Sequence, residues 1–365
     1  MIRTDDLRIV QTQPLITPAV LCEELPHSDA GAVLVNSSRR TIEAILRGAD
    51  RRLLCIVGPC SVHDPAAALD YARQMQLCSA GFGDALFIVM RVYFEKPRTV
   101  VGWKGLINDP DLDGSFHINK GLHLARRLLL DVTALGLPAA TEFLDTTFGQ
   151  YYADLISFGA IGARTVESQV HRELASGLSM PLGIKNRTDG EIGVAIDAIR
   201  AAAHPHWFPS ITKEGSPAIL RSSGNPHCCL VLRGGNVSGP NFGAAAVNDA
   251  LERLQDAGLE AGLVVDCSHG NSGKDPARQA AVASELASGI RAGQRGIRGV
   301  MIESHLQGGA QPLGPREKLR YGQSVTDACL SLDATLPLLQ ELAEAVRAAR
   351  APSAFGGARE QDTHP

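Results

Sequence analysis

Short runs of apolar residues recur along the chain and alternate with longer amphipathic segments. Eight of these runs end in a polar or glycine-rich signal, and they occupy residues 53–60, 86–94, 138–144, 155–163, 181–186, 229–235, 263–270 and 299–305. Each run has the length of a strand, whereas segments between them, such as residues 65–80 and 244–258, have the spacing of amphipathic helices. Alternation of strands with helices predicts right-handed parallel βα units.

The number of units indicates the architecture. Eight units within about 290 residues predict a (β/α)8 TIM barrel, and an open doubly wound sheet is the alternative within the α/β class. The chain then divides into an N-terminal extension over residues 1–50, a barrel over residues 51–348 and a flexible C-terminal tail over residues 349–365.

Two segments do not follow this alternation. Residues 206–225 contain a KEGS turn between two β-favouring runs, which predicts an inserted β-hairpin. Prolines interrupt the N-terminal extension, and the pattern there predicts only one helix, with Ser37 or Ser38 as its N-cap.

Composition narrows the classes of function. The chain has 365 residues with 35 basic and 39 acidic side chains, and the net charge of −4 argues against a general nucleic-acid-binding protein. No apolar run approaches the ~18 residues of a membrane span, and the N-terminus lacks a signal pattern, so we expect a cytoplasmic protein with no membrane segment. The eight cysteines are scattered without a C-x-x-C pair, which favours reduced thiols.

The carboxyl ends of the predicted strands carry an unusual set of side chains. In a barrel of this kind those ends and the loops after them form the active site. The residues there are reactive or charged: Cys60, Arg91, Glu142, Arg164, Lys185, Arg233, His269 and Glu303. Structural ion pairs around the rim could account for any one of them, but they account poorly for all eight.

Cations dominate this set and predict an anionic substrate. Lys96, Arg98 and the Thr99 hydroxyl follow the second strand and join the arginines and the lysine of the other strand ends. Arginine matches phosphate and carboxylate oxygens with two parallel hydrogen bonds. Six converging cations in an acidic chain therefore predict a substrate with more than one anionic group. The chain has no Walker A loop or strand-linked G-x-G-x-x-G, which disfavours a nucleotide.

The remaining groups could hold a metal ion. Cys60, His269 and Glu303 lie at neighbouring strands of a closed barrel, and Asp327 follows the eighth strand. Mixed sulfur, nitrogen and oxygen ligands suit Mn, Fe, Co or Zn better than Mg or Ca. Two alternatives stay open: His269 acts as a general base with Asp266 and no metal, or Cys60 is an ordinary core thiol.

Seven motifs connect these residues with a known family. They are GPCSVHD (58–64), RVYFEKPRTVVGWKGLINDP (91–110), GARTVESQVHRELASGLSMPLGIKN (162–186), LRGG (232–235), VDCSHGNSGKD (265–275), MIESHLQGG (301–309) and YGQSVTDACL (321–330). In this order they resemble type I 3-deoxy-D-arabino-heptulosonate-7-phosphate (DAHP) synthases of the enterobacterial and yeast form, from about residue 10 to about residue 345. That family joins phosphoenolpyruvate to erythrose 4-phosphate on a barrel with a divalent metal ion, as the first step of the shikimate pathway.

The resemblance implies a role for each motif residue. It implies four metal ligands, which are Cys60, His269, Glu303 and Asp327. It implies a phosphoenolpyruvate site made of Arg91, Lys96, Arg164, Lys185 and Arg233. Arg98 and Thr99 are then expected to bind the erythrose phosphate group, and the metal is expected to be Mn²⁺, with Fe²⁺, Co²⁺ or Zn²⁺ as alternatives.

The identity of the proton carrier and two alternative functions stay open at this point. Lys185 and Glu142 are both candidates for proton transfer, and His269 is a candidate for both ligand and relay. A related synthase that uses arabinose 5-phosphate has the same barrel and chemistry, although the KPRT stretch and the four ligands favour the shorter aldose. A non-catalytic descendant that only binds an effector would be expected to lack one of these groups.

The resemblance also implies regulation and assembly. Family members bind an aromatic amino acid away from the metal, which here corresponds to Asp145, Gly149, Gln150, Ser179, Phe208 and Ser210. Gly149 stands where relatives have proline, so we expect a looser loop and weak inhibition. Arg187 stands where relatives have glycine; it is either a solvated loop charge or an extra contact to the aldose phosphate. The family further implies a homodimer or homotetramer.

Overall fold

Eight parallel strands form a closed barrel in the computed structural model, which describes residues 2–350. The chain order of strands is β1 (Leu53–Gly58), β2 (Leu86–Arg91), β3 (Ala139–Glu142), β4 (Phe158–Ile161), β5 (Leu182–Lys185), β6 (Trp207–Ile211), β7 (Pro217–Arg221), β8 (Cys228–Leu232), β9 (Leu263–Asp266), β10 (Ile297–His305) and β11 (Leu330–Ser331). Strands β1 to β5 and β8 to β10 make up the barrel, and the pairing of β10 with β1 closes it. The predicted (β/α)8 barrel is therefore confirmed, and the open sheet is excluded.

Helices alternate with the barrel strands. They are α1 (Pro18–Glu24), α2 (Asp29–Leu46), α3 (Pro65–Ser79), α4 (Ile118–Ala134), α5 (Gly149–Tyr152), α6 (Gln169–Gly177), α7 (Gly193–Ala202), α8 (Ala244–Asp256), α9 (His269–Ser272), α10 (Pro276–Arg291) and α11 (Leu332–Arg350), with 3₁₀ turns at Ala153–Leu155 and Arg316–Lys318. Among the described residues, none of these helices is long and apolar enough to cross a membrane.

The apolar core has two layers because strand side chains alternate between the two faces of the sheet. Leu54 and Ile56 of β1 point into the barrel interior, whereas Leu53 and Cys55 pack under the surrounding helices. Helix α2 closes the amino-terminal end of the interior with three buried side chains, Ile42, Ile45 and Leu46. The interior is therefore a packed core that supports the side chains at the carboxyl ends of the strands.

The predicted start of the helix in the extension is wrong. Helix α2 begins at Asp29, because the Ser28 hydroxyl accepts a hydrogen bond from Gly31 N at 3.1 Å and caps it. Ser37, the predicted cap, lies inside this helix and donates to Leu34 O at 3.0 Å. The sequence analysis also missed α1, whose proline occupies the first turn, where a missing N–H costs nothing.

The inserted hairpin and the end of the chain complete the fold. Strands β6 and β7 pair antiparallel from Trp207 opposite Arg221 to Ile211 opposite Pro217, which confirms the predicted hairpin. Helix α11 extends through Arg350. The rest of the predicted tail, residues 351–365, lies outside the described residues.

Candidate active site

A polar cavity opens at the carboxyl ends of the barrel strands. The predicted residues on its wall are Lys96, Arg98, Glu142, Arg164, Lys185, Arg233, His269 and Asp327. Thr188, Thr326 and Lys274 also line it. Six cations thus face one cavity: five that the strand-end pattern predicts and Lys274, whereas the sixth predicted cation, Arg91, is buried beneath the wall.

Three of the four predicted metal ligands lie close together at the floor of this cavity. One ligand atom from each of Cys60, Glu303 and Asp327 lies within 4.8 Å of the other two. Bonds of about 2.0–2.3 Å to one ion place ligand atoms roughly 3–4.5 Å apart, so the group fits a divalent metal. Short strand β11 pairs with the end of β10, which brings Asp327 from a distant segment to Cys60.

His269 lies beside this group. Its Nε2 is 3.8 Å from Glu303 Oε1, and its Nδ1 is 2.9 Å from Asp266 Oδ2. A carboxylate behind the ring fixes the orientation of a metal-binding histidine and the tautomer it adopts. Burial alone would raise the pKa of Asp266, but His269 and Lys185 outweigh it and hold that pKa well below its usual range.

Lys96 and Arg91 provide positive charge around the same group. Lys96 Nζ donates to Cys60 Sγ at 3.0 Å, and the acidic cluster raises the pKa of this lysine despite its burial. Arg91 is fully buried below the cavity wall and donates to Glu303 Oε1 at 3.1 Å. Its Nη1 has no hydrogen-bond partner among residues 2–350. Burial raises the pKa of the Cys60 thiol, and Glu303 adds to this, while Lys96 opposes it.

Lys185 lies between two carboxylates. Its Nζ is 3.6 Å from Glu142 Oε2 and 3.5 Å from Asp266 Oδ2. Burial lowers the pKa of Lys185, but Tyr93, Asp266 and Glu142 outweigh this and the net shift is upward. Lys185 is therefore protonated at neutral pH, which places a buried positive charge on the cavity wall.

The segment after β2 brings Arg98 but not Thr99 to the cavity. Arg98 donates from Nε to Trp103 O at 2.7 Å, and its side chain forms part of the wall. Thr99 is exposed and does not line the cavity. Arg187 also stays off the wall, because it pairs with Glu167 and Asp189; this favours the interpretation as a loop charge.

The sequence analysis missed Lys274. Its Nζ lies 3.2 Å from Asp327 Oδ1, and its backbone φ of +65° is in the left-handed region. A lysine after a glycine in the loop following a barrel strand was the available signal, because such loops face the active site.

A second cavity of about 570 Å³ lies between α5, α6 and the hairpin. Five of the six predicted effector residues line it: Gly149, Gln150, Ser179, Phe208 and Ser210. Leu174, Leu178 and Leu220 make it partly apolar. The sixth, Asp145, is not on the wall, because its Oδ1 accepts hydrogen bonds from Thr147 N and Phe148 N just before α5.

Glu95 lies between the two cavities. The Asp145 backbone N–H donates to Glu95 Oε1 at 3.3 Å, and the next residue is Lys96 of the first cavity. Burial, followed by the nearby Asp145 carboxylate, raises the pKa of Glu95 to about 8. The same short segment therefore contacts the loop before α5 and the candidate metal group.

Fold and site define a barrel enzyme with a cation-lined cavity beside a thiol and carboxylate cluster. The sequence pattern of the DAHP synthetase I family matches residues 31–340. The chain is 53% identical over 348 residues to the Phe-sensitive phospho-2-dehydro-3-deoxyheptonate aldolase of Escherichia coli strain K12, covering 95% of this chain and 99% of that one. It is 51% identical over 350 residues to the tyrosine-inhibited enzyme of Schizosaccharomyces pombe, covering 95% and 94%.

A solved structure supports the same relationship. The phospho-2-dehydro-3-deoxyheptonate aldolase of Francisella tularensis SCHU S4 superposes with a TM-score of 0.91 at 50% identity, covering 94% of this chain and 99% of that chain. The chain belongs to the type I DAHP synthase family, and the resemblance seen in its motifs is confirmed.

Replacing Cys60 tests the metal group. We expect Cys60→Ala to abolish activity and to lower the metal bound per chain without unfolding the barrel, because a ligand is lost at a small side chain. Cys55→Ala is the matched control, since Cys55 is equally buried in the same strand region but lies outside the group. Metal analysis and activity with and without chelator are the measurements, and wild-type metal content in Cys60→Ala would contradict the assignment.

Glu95 should make stability depend on pH. Its pKa is about 8 in the fold against an ordinary 4.5, so wild-type protein loses stability as the pH rises from about 4.5 to about 8. Glu95→Gln keeps an acceptor for Asp145 N and removes this loss. The Tm of the variant minus that of wild type should therefore increase from pH 5 to pH 9, with Glu252→Gln on exposed α8 as the control. A difference that is independent of pH would show that Glu95 titrates normally.

Proposed function

We propose that the chain condenses phosphoenolpyruvate with D-erythrose 4-phosphate and water to give 3-deoxy-D-arabino-heptulosonate 7-phosphate and phosphate, the first step of the shikimate pathway. The observation that carries this proposal is the convergence of six cations beside the group of Cys60, Glu303 and Asp327. Phosphoenolpyruvate has a carboxylate and a phosphate, and the aldose has a second phosphate, so the charges of the two substrates match those of the cavity.

The cations divide between the substrates by position. Lys96, Lys185, Arg164 and Arg233 line the wall around the candidate metal group and are assigned to phosphoenolpyruvate. Arg91 lies beneath this wall and is assigned to the same substrate; its Nη2 holds Glu303, and its buried Nη1 has no partner among residues 2–350. Arg98, on the exposed segment after β2, is assigned with Thr99 to the erythrose phosphate group. Holding both substrates in one orientation removes much of the entropic barrier to carbon–carbon bond formation.

The metal group completes the site. Its sulfur and oxygen donors, with the His269 imidazole beside them, fit Mn²⁺ as our first choice and Fe²⁺, Co²⁺ or Zn²⁺ as alternatives. A divalent ion bound there supplies Lewis-acid polarisation of the aldehyde oxygen. Cys60, His269, Glu303 and Asp327 are the proposed ligands, and Asp266 holds the His269 ring in place through Nδ1.

Lys185 and Glu142 are the proposed proton carriers. Attack of the enol carbon on the aldehyde leaves positive character at the carbon bearing phosphate, water adds there, and the hemiketal phosphate loses phosphate by C–O cleavage. Because Lys185 is held protonated 3.6 Å from Glu142, the lysine can donate a proton and the carboxylate can accept one from the added water.

The second cavity is proposed as an effector site for an aromatic amino acid. The relatives named above are Phe-sensitive and tyrosine-inhibited, and a third, 54% identical, from Enterobacter agglomerans, is Trp-sensitive. Gln150, Ser179 and Ser210 offer polar groups, and Phe208 offers an aromatic face. Asp145 acts on this cavity indirectly, through the start of α5.

Assembly and location are also proposed. Ile2, Leu7, Ile9 and Val10 of the N-terminal extension expose more than half of their surface, and a second copy of the chain would cover them in a homodimer or homotetramer. All eight cysteines are free thiols, which suits a reducing compartment such as the cytoplasm.

The substrate assignment is tested by phosphate release. We expect phosphate to be released from phosphoenolpyruvate in the presence of erythrose 4-phosphate, and this activity to be lost on chelation. With arabinose 5-phosphate we expect little phosphate release.

Arg164→Ala should raise the KM for phosphoenolpyruvate roughly 10- to 150-fold by removing a charge-assisted bond of about 1.5–3 kcal/mol. Arg98→Ala should act mainly on the KM for erythrose 4-phosphate, and Arg187→Ala, off the wall, on neither. If both wall variants raised only the erythrose phosphate KM, the division of the cations would be wrong.

Inhibition tests the effector site. Gly149, the first residue of α5, leaves this segment less restricted than a proline would, so ordering it around a ligand costs up to about 1 kcal/mol more. We expect weak or absent inhibition by phenylalanine, tyrosine and tryptophan, and stronger inhibition of Gly149→Pro. Gly83→Ala is the control, because Gly83 lies outside this cavity and a Cβ there meets nothing within 4 Å. Strong inhibition of the unmodified enzyme at micromolar amino acid would contradict this expectation.

A further inference from the structure

An arginine-rich cleft lies at the amino-terminal end of the barrel, opposite the active site. This basal cleft has a volume of about 620 Å³ and is lined by five arginines and one carboxylate, which are Arg51, Arg52, Arg295, Arg298, Arg350 and Asp50. Leu53 and Ile297, the first residues of β1 and β10, form its inner wall. The cleft is therefore separated from the catalytic cavity by the packed barrel interior.

The positive charges of the basal cleft are poorly compensated. Asp50 is the one acidic residue among the described residues that line the cleft, and Arg52 already pairs with it at 2.6 Å. Within residues 2–350 the other four arginines form no ion pair, although the Glu260 carboxylate acts on Arg298 and those of Asp50 and Asp84 act on Arg350. Collecting like charges in one place raises the free energy of the fold unless an anion joins them.

Arg298 is placed in the cleft by specific backbone features. The pairing of β10 with β9 shifts register between Ile297 and Gly299, so Arg298 is the extra residue of a β-bulge, a feature that redirects a side chain. Its side chain passes over two glycines: a Cβ on Gly48 would lie 2.6 Å from Arg298 Nη2, and one on Gly262 would lie 2.9 Å from Cγ. Any larger residue at either position would displace the guanidinium.

The guanidinium groups keep unused donors. Arg298 Nε and Arg350 Nε are both buried and have no hydrogen-bond partner among residues 2–350. Burial lowers the pKa of Arg298, and only Glu260 opposes this shift. Buried donors without partners are costly, and a turn of these two side chains onto the acceptor oxygens of a ligand in the cleft would remove that cost.

We propose that the basal cleft binds a small molecule carrying two or more phosphate groups, with Arg298 as its central contact. Planar guanidinium groups match phosphate oxygens with two hydrogen bonds each, and four arginines require more than one anionic group. The site is independent of the condensation proposed above, because it uses none of the residues of that reaction.

Calorimetric titration with inorganic pyrophosphate tests the proposal. A second titration with ADP tests whether the cleft also accommodates a nucleoside. The metal-loaded enzyme is kept saturated with phosphoenolpyruvate so that the catalytic cavity is occupied. We expect one binding event, weakened at least tenfold in Arg298→Met, which keeps the length of the stem. Arg295→Met should weaken it as well, and because Arg295 is exposed, this variant keeps the test valid if Arg298→Met fails to fold.

The controls decide the outcome. Arg200→Met removes an exposed arginine of α7 outside the cleft and should leave pyrophosphate affinity unchanged. The KM for phosphoenolpyruvate should be unchanged in all three variants, which separates this site from the catalytic one. Absence of binding of both probes to wild type, or wild-type affinity in both cleft variants, would overturn the proposal.

Discussion

Charges buried above an apolar barrel must be paired, and the rest of the site depends on this constraint. Arg91 and Glu303 are both almost inaccessible and meet at 3.1 Å, and Lys185 lies between Glu142 and Asp266. Removing one partner of such a pair leaves an uncompensated charge and is strongly destabilising. The strand ends therefore form one electrostatic network, in which Arg91 Nη1 is left without a hydrogen-bond partner among residues 2–350.

The packed interior makes this network rigid. Strand side chains fill the barrel, and α2 closes its amino-terminal end with Ile42, Ile45 and Leu46. Close packing resists displacement of the strands, so the side chains at their carboxyl ends keep fixed distances. The same arrangement separates the two ends of the barrel, with the catalytic cavity at one end and the basal cleft at the other.

Two additions to the eightfold pattern create the second cavity. The hairpin of β6 and β7 and the short helix α5 provide its walls, and Glu95 connects the loop before α5 with the segment that carries Lys96. Asp145 is part of this connection because its carboxylate accepts hydrogen bonds from Thr147 N and Phe148 N just before α5 instead of facing the cavity. An amino acid that reorders α5 would therefore act on the residues around Cys60 through a short chain of contacts.

Local pattern alone determined the eight strands, the hairpin and the residue types at the strand ends, because strand periodicity and turn chemistry depend on neighbouring residues. From these positions the anionic substrate and the metal donors followed. The Ser28 cap of helix α2 and the turn at Asp145 are local features that the pattern missed, whereas only tertiary structure decided that Lys274 reaches Asp327. The basal cleft is also a tertiary result, since its arginines come from two distant segments of the chain, 51–52 and 295–350. Such contacts depend on how distant segments pack against each other, and the pattern of neighbouring residues does not predict that packing.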